Sequence, residues 1–322
     1  MKNIRIIGVG HKPAETCVTN DMLSEIVDTN DEWITTRTGI KTRYFSENKN
    51  TSELGYEAAL NAIKDAGIDK TEIEAIIVAT MTPDNAMPST ACLIQEMLGL
   101  NDQKIMAFDM NAACNGFISA LQVGSSLLGR FKTVLVVGAE TNSKILDFAD
   151  RSTCILFGDG AGAAVLRYEE CEKETFMYSN SMGDNKNVLT CKNNGLTPLM
   201  TSNRAGNNYM TMQGNDVFRF AIRVMEEAIV EVLKESNLTI DDIDCIIPHQ
   251  ANIRIIKHVA KSMNLPMEKV FVNLDKYGNT SSASIGIALS EAKAQGVIKE
   301  NDKVILVGFG GGFTYSSYLY QF

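Results

Sequence analysis

The chain has 322 residues, 45% hydrophobic and 21% charged, ordinary globular material sufficient for one large domain or two medium ones. A formal net charge of −9 argues against non-specific nucleic-acid binding and requires any anionic partner to meet a local basic patch. Seven scattered cysteines without a C-x-x-C pair argue against a disulfide framework or zinc site, and no apolar stretch approaches the ~20 residues that cross a bilayer. No signal-peptide pattern opens the sequence, so a cytoplasmic protein with no membrane partner is expected.

Taken in chain order, short apolar, β-branched runs read as buried strands: 4-IRIIGVG-10, 74-EAIIVAT-80, 133-TVLVVGAE-140, 163-AAVLRY-168, 244-DCIIPHQ-250 and 303-KVILVGFG-310. Between them 53-ELGYEAALNAIKDAG-67 and 216-DVFRFAIRVMEEAIVEVLKES-236 space their apolar residues by three and four, as helices do. The alternation predicts α/β layers around largely buried sheets. The run 73-IEAIIVAT-80 echoes 243-IDCIIPHQ-250, and 134-VLVVG-138 echoes 304-VILVG-308, each at an offset of 170 residues. A shared offset predicts a duplication, with halves 1–170 and 171–322 forming one pseudo-symmetric body. Residues 181–210 are polar and rich in asparagine (185, 187, 193, 194, 203, 207 and 208) and read as a long surface excursion.

Four features carry chemistry. Cys114, in 111-NAACNGF-117, falls between the strand-like 105-IMAFDMN-111 and the helical 117-FISALQVGSSLLG-129. A helix N-terminus favours a thiolate and so lowers the thiol pKa; a buried packing cysteine is the competing reading. His249 follows a buried strand at its C-terminal end, where α/β proteins place functional groups, although a lone histidine there is often structural. In 277-YGNTSSASIGIAL-289, Ser284 answers Cys114 in the repeat and Asn279 lies at the same level; Asn279 as a plain turn former is the alternative. The run 308-GFGGGFT-314 suits backbone N–H groups facing an oxyanion, or else a tight packing bend. By contrast 158-GDGAG-162 and 8-GVG-10 lack the remaining residues of a nucleotide loop.

In order and spacing, 28-DTNDEWITTRTGIKTR-43, AACNGF around Cys114, 151-RSTCILFGDGAGAAVL-166, 249-HQANIRII-256, 278-GNTSSAS-284 and 308-GFGGGFT-314 resemble the β-ketoacyl-[acyl carrier protein] synthase III family. The resemblance runs nearly end to end. It implies the duplicated thiolase fold, five layers of α-β-α-β-α, and a homodimer. It implies decarboxylative Claisen condensation of a short acyl-CoA primer with malonyl-[acyl carrier protein], initiating type II fatty-acid synthesis, with acyl-CoA as substrate and neither cofactor nor metal. Cys114, His249 and Asn279 match the family triad, and the N–H groups of Cys114 and Gly311 the oxyanion hole. His249 is expected to act as a neutral Nε donor. Trp33 and Arg151 match the pair that sandwiches adenine, Arg37 a phosphate contact and Asn252 a pantetheine contact; Gly214 and Phe218 match tunnel positions. Arg219, Arg254, Lys257 and Lys261 match a basic face for the acidic carrier protein, with His258 on the same helix.

Three residues depart from the family pattern: Met87, where a partner-contributed pocket residue is phenylalanine in some members, Tyr315 in place of a tryptophan, and Gly286 in place of a frequent proline. They are expected to reshape the acyl pocket. A specialised acyltransferase or condensing enzyme of secondary metabolism is the alternative. A cysteine hydrolase lacks its signatures here, and a silent partner subunit would lack the cysteine.

Overall fold

The computed structural model describes residues 1–184, 186–192 and 208–322. In chain order the strands are β1 (Ile4–Pro13), β2 (Thr16–Thr19), β3 (Thr42–Phe45), β4 (Ala75–Ala79), β5 (Met106–Met110), β6 (Thr133–Glu140), β7 (Gly160–Tyr168), β8 (Phe176–Ser181), β9 (Leu189–Cys191), β10 (Met210–Met212), β11 (Cys245–Pro248), β12 (Lys303–Gly310) and β13 (Thr314–Gln321). The helices are α1 (Asn20–Ser24), α2 (Asp31–Thr38), α3 (Thr51–Ala66), α4 (Thr90–Met97), α5 (Gly116–Leu127), α6 (Arg151–Cys154), α7 (Gly214–Ser236), α8 (Ile253–Ser262), α9 (Leu274–Tyr277) and α10 (Ala283–Ala294).

Two sheets dominate, ordered β1-β7-β6-β4-β5 and β8-β13-β12-β11. In each, a wholly or almost wholly buried central strand (β6 or β12) has a parallel neighbour on one side and an antiparallel neighbour on the other. Burial on both faces is why these strands read as continuous apolar runs. The registers repeat at the offset seen in the sequence: Ala75 pairs with Val134, and Cys245 with Val304. So do the preceding helix ends, where α3 stops at the left-handed Gly67 and α7 at the left-handed Asn237. The copies differ at one edge. Next to β4 lies the full strand β5, whereas next to β11 the matching strand shrinks to one bridge, Ile246 with Val270.

The layers follow from the apolar faces. Phe117, Ile118 and Leu121 of α5 and Ile285, Ala288 and Leu289 of α10 pack between the sheets against Val134, Val136, Val304 and Leu306. The apolar side of α3, with α4, covers the outer face of the first sheet. The amphipathic α7 and α8 cover the outer face of the second. This is the five-layer α-β-α-β-α order that the resemblance implies.

Two expectations change. The strand expected over 244–250 ends at Pro248, leaving His249 and Gln250 beyond it. The excursion over 181–210 is partly structured: β9 and β10 pair, and Met210 is buried in the core. Asn185, Asn193, Asn194, Asn203 and Asn207 lie outside the described residues.

Candidate active site

Cys114 sits in a 3-10 turn, Ala113–Asn115, that leads directly into α5. Ala113 takes a left-handed backbone (φ 46°), uncommon for a residue with a Cβ, and its N–H is held by Asn111 Oδ1 at 3.0 Å. The glycine run passes beneath this turn. A Cβ on Gly310 would lie 2.8 Å from Cys114 N and 2.8 Å from the Ala112 carbonyl, so close approach of two backbones requires glycine there. The run therefore serves as a packing bend as well as a lining, since Gly311 shares a cavity of about 670 Å³ with Cys114, Phe157, Leu189 and Met210.

His249 and Asn279 are buried, 1% and 6% exposed, and neither lines that cavity. The stretch 279–284, which leads into α10, contains Asn279 and holds His249. Asn279 Oδ1 accepts the Ser281 N–H at 2.8 Å, which turns its amide nitrogen outward as a free donor. The Ser281 hydroxyl donates to Glu140 Oε1 at 3.4 Å and to Met81 Sδ at 3.8 Å, and Met81 lines the cavity with Cys114. His249 Nδ1 meets Ser284 Oγ at 2.7 Å, while its Nε2 is buried without a partner. Burial lowers the His249 pKa to about 3, so the ring is neutral at physiological pH. The tautomer in which the serine hydroxyl donates to Nδ1 is the one that leaves the proton on Nε2. A buried unpaired donor of this kind marks a place for an incoming acceptor.

The thiol departs from expectation. Burial pushes the Cys114 pKa up to about 12, whereas its position before a helix suggested a lowered one. Loss of hydration on burial is the largest cause of that rise, and it favours the thiol over the thiolate.

A second cavity, of about 370 Å³, is lined by Trp33, Arg37, Gly214, Phe218, Asn252 and Arg254 among others. It shares a wall with the first: Leu156 lines one and Phe157 the other, as do Met212 and Met210. Arg37 and Arg151 place their guanidinium carbons 4.4 Å and 4.6 Å from the centre of the Trp33 ring. Arg151 itself thus stacks on Trp33, and a planar guest between them requires that guanidinium to lift away. Asn252 caps α8 by accepting the Arg254 N–H at 2.8 Å. Arg254, Lys257 and Lys261 lie on the exposed face of α8, and Arg219 is exposed on α7 with Asp216 3.9 Å away.

The three departures do not line the Cys114 cavity. Tyr315 is buried in the core, where its hydroxyl donates to Glu227 at 2.7 Å and accepts from Asn180. Gly286 meets Gly162, where a Cβ would come within 2.9 Å of the opposing Cα. Met87 is 85% exposed and points out of its own chain's cavity. Residues that the sequence reading passed over are Ser281, Ser282 and Glu140. The available signal was an acidic residue closing the otherwise apolar run VLVVGAE.

The family model described as 3-oxoacyl-[acyl-carrier-protein (ACP)] synthase III matches residues 108–185, and the model of its C-terminal part matches residues 233–322. The chain is 48% identical over 320 residues to the β-ketoacyl-[acyl-carrier-protein] synthase III of Clostridium acetobutylicum, covering 98% of each. It is similar to the crystal structure of 3-oxoacyl-[acyl-carrier-protein] synthase III from Aquifex aeolicus VF5, with a TM-score of 0.92, 42% identity and coverage of 99% and 100%. The priming β-ketosynthase of the R1128 polyketide pathway has a TM-score of 0.92 at 32% identity, with coverage of 99% and 96%.

Proposed function

This chain belongs to the 3-oxoacyl-[acyl-carrier-protein] synthase III family, and from that premise we propose how its residues carry out the condensation that starts a fatty acyl chain. The enzyme joins a short acyl-CoA to malonyl-[acyl carrier protein], releasing carbon dioxide and giving a β-ketoacyl-[acyl carrier protein]. The observation that carries the assignment of roles is the stretch 279–284, which contains Asn279, fixes its amide through the Ser281 N–H and holds His249 through Ser284, while Cys114 and Gly311 line one cavity.

Cys114 takes the acyl group, with the oxyanion held by its own N–H and that of Gly311. Coenzyme A lies along the second cavity, with Trp33, Arg37 and Arg151 at the nucleotide end and Gly214, Phe218 and Asn252 along the pantetheine arm. The malonyl thioester oxygen then faces His249 Nε2–H and the Asn279 amide. As the carbon–carbon bond to the carboxylate breaks, its electron pair becomes an enolate, which two neutral donors stabilise without protonating it. The enolate carbon attacks the acyl-cysteine carbonyl and expels the Cys114 thiolate.

The basic face of Arg219, Arg254, Lys257 and Lys261 receives the acidic carrier protein. The active form is a homodimer whose second copy brings Met87 to the acyl pocket. The two halves, 1–170 and 171–322, contribute the nucleophile and the two donors respectively; the repeated strand register supports this division. Similarity to a polyketide-priming enzyme keeps a second reading, priming in secondary metabolism, but the higher identity to the fatty-acid enzymes favours the first.

The test supplies a panel of acyl-CoAs with malonyl-[acyl carrier protein], following carbon dioxide release and the mass of the Cys114 peptide. The expected result is acylation at Cys114 followed by condensation. Acylation without condensation would overturn the synthase reading.

A further inference from the structure

Glu140 closes β6 and is fully buried, and the condensation as described makes no use of it. Among the described residues no lysine or arginine forms a salt bridge with it. Burying a carboxylate without a cation is costly unless hydrogen bonds satisfy it. Five donors converge on this one. Its Oε2 accepts from the hydroxyls of Thr82 at 2.5 Å and Thr80 at 3.2 Å, and its Oε1 from those of Ser282 at 2.7 Å and Ser281 at 3.4 Å. The Met81 N–H reaches both oxygens at 3.2 Å. One side chain thus ties the loop after β4 to the turn before α10.

That turn copies the one that carries Cys114. Ala113 and Ser281 both take left-handed backbones, φ 46° and 50°. The N–H of each is held by an asparagine side chain, Asn111 Oδ1 at 3.0 Å and Asn279 Oδ1 at 2.8 Å. The next bond repeats too: the Asn115 N–H donates to the Ala112 carbonyl at 3.1 Å, and the Ala283 N–H to the Thr280 carbonyl at 3.0 Å. By this pattern Asn279 answers Asn111, and Ser282, rather than Ser284, answers Cys114. The supports differ. Under the first turn lies Gly310, the last residue of β12, where two backbones meet closely. Its counterpart at the end of the equally long β6 is Glu140. β6 also meets the second turn at Gly138, where a Cβ would come within 2.5 Å of the Ser282 carbonyl oxygen. A carboxylate therefore stands in one copy where bare backbone stands in the other, and it holds the hydroxyl that takes the place of the thiol.

We propose that Glu140 is a positioning residue for Asn279, an inference that rests on the roles given above to Cys114 and Asn279. Glu140 holds the hydroxyls of Ser281 and Ser282. The Ser281 N–H in turn holds Asn279 Oδ1, which leaves the amide nitrogen to donate to the malonyl thioester oxygen. A residue with a Cβ stays in the left-handed region only where its surroundings fix it, and the end of β6 supplies that fixing. The carboxylate is itself anchored through its threonines: Thr82 Oγ1 also accepts the Thr141 N–H at 2.9 Å, and Thr80 Oγ1 the Thr82 N–H at 3.1 Å. A donor to a developing enolate works by being aimed in advance. The clamp accordingly serves decarboxylation, whereas acyl loading relies on the N–H groups of Cys114 and Gly311.

The test uses the full chain and follows two steps separately. One is acyl loading of Cys114 from acyl-CoA, read by mass spectrometry; the other is carbon dioxide release from malonyl-[acyl carrier protein]. Glu140→Ala is expected to slow carbon dioxide release roughly 10- to 100-fold, as a displaced donor does, and to change loading less than about threefold. Glu140→Gln is expected to recover most of that rate. Its oxygen can accept from the threonines while its amide donates to Ser282, which still donates to the Ala79 carbonyl at 2.9 Å. In an Asn279→Ala background Glu140→Ala should cost nothing further, since no amide is left to aim. If Glu140→Ala does not fold, Ser282→Ala carries the test: it removes the 2.7 Å contact and leaves the other donors in place. Its expected loss of carbon dioxide release is roughly three- to tenfold, again absent without Asn279. Equal slowing of both steps, losses that multiply with that of Asn279→Ala, a Gln variant as slow as the Ala one, or no slowing at all overturns the positioning role and leaves Glu140 a structural group. A wild type that loads acyl groups but releases no carbon dioxide overturns the synthase reading itself, and the positioning role with it.

Discussion

His249 shows how burial, more than sequence position, fixes what a residue can do. The unfolded chain protonates this imidazole near 6.5, whereas the folded site admits a proton only near 3. Its contribution to stability is therefore fully present above pH 6.5 and is lost as pH falls from there toward 3. A His249→Gln variant should lose less melting temperature than the wild type between pH 6.5 and 4. It should also slow carbon dioxide release by roughly 10²- to 10³-fold, the usual effect of removing one donor to an oxyanion, and slow acyl loading far less. Cys114 and His249 stood out in the sequence beside strand-like runs and Asn279 in a tight turn, and the family resemblance joined the three as a candidate triad. The protonation state of Cys114 was not legible there: it depends on how completely the folded chain buries the side chain. Glu140 escaped for the same reason, since its partners lie roughly 60 and 140 residues away along the chain.

At the level of elements, helix α8 divides its labour around its circumference. Ile255, Ile256, Val259 and Ala260 face the core, Asn252 caps the start beside the second cavity, and Lys257 and Lys261 face solvent. Lys261 also stands in the last turn, where a cation favours the helix on its own account. The two readings separate in solution. Reversing Lys257 and Lys261 to glutamate should raise the KM for malonyl-[acyl carrier protein] about tenfold, with a weakened salt dependence, while loading from acyl-CoA changes less. An equal effect on both substrates would point to a damaged helix. Strands and long helices were readable from apolar spacing, to within a residue or two at most ends. Tyr315 and Gly286 were misjudged because a family position does not reveal which face of a strand or helix turns to the cavity. One closes a hydrogen bond to Glu227, and the other lets α10 cross β7 at Gly162.

For the whole molecule, the repeat was the most informative signal, because an offset of 170 residues survives in strand register, helix ends and layer order together. The asymmetry between the copies was not visible, since a strand reduced to the single bridge at Val270 leaves no periodicity to read. That asymmetry decides how copies of the chain can meet. The edge of β1 is blunted by a register shift after Ile6 and by Tyr320 and Asp65, which occupy the N–H groups of Ile6 and Val9. Gln122 occupies the Tyr178 carbonyl on β8, and Phe271 bonds Ile246 on β11. Among the described residues the backbone of β5 bonds toward β4 alone. Sedimentation should accordingly find one species of twice the 35.3 kDa chain, and a monomer at micromolar concentration would refute the proposed homodimer. The open edge of β5 can be satisfied by the same edge of another copy turned through half a revolution. In the proposed homodimer the two β5 edges would satisfy each other, leaving neither as a template on which further strands could stack into fibres.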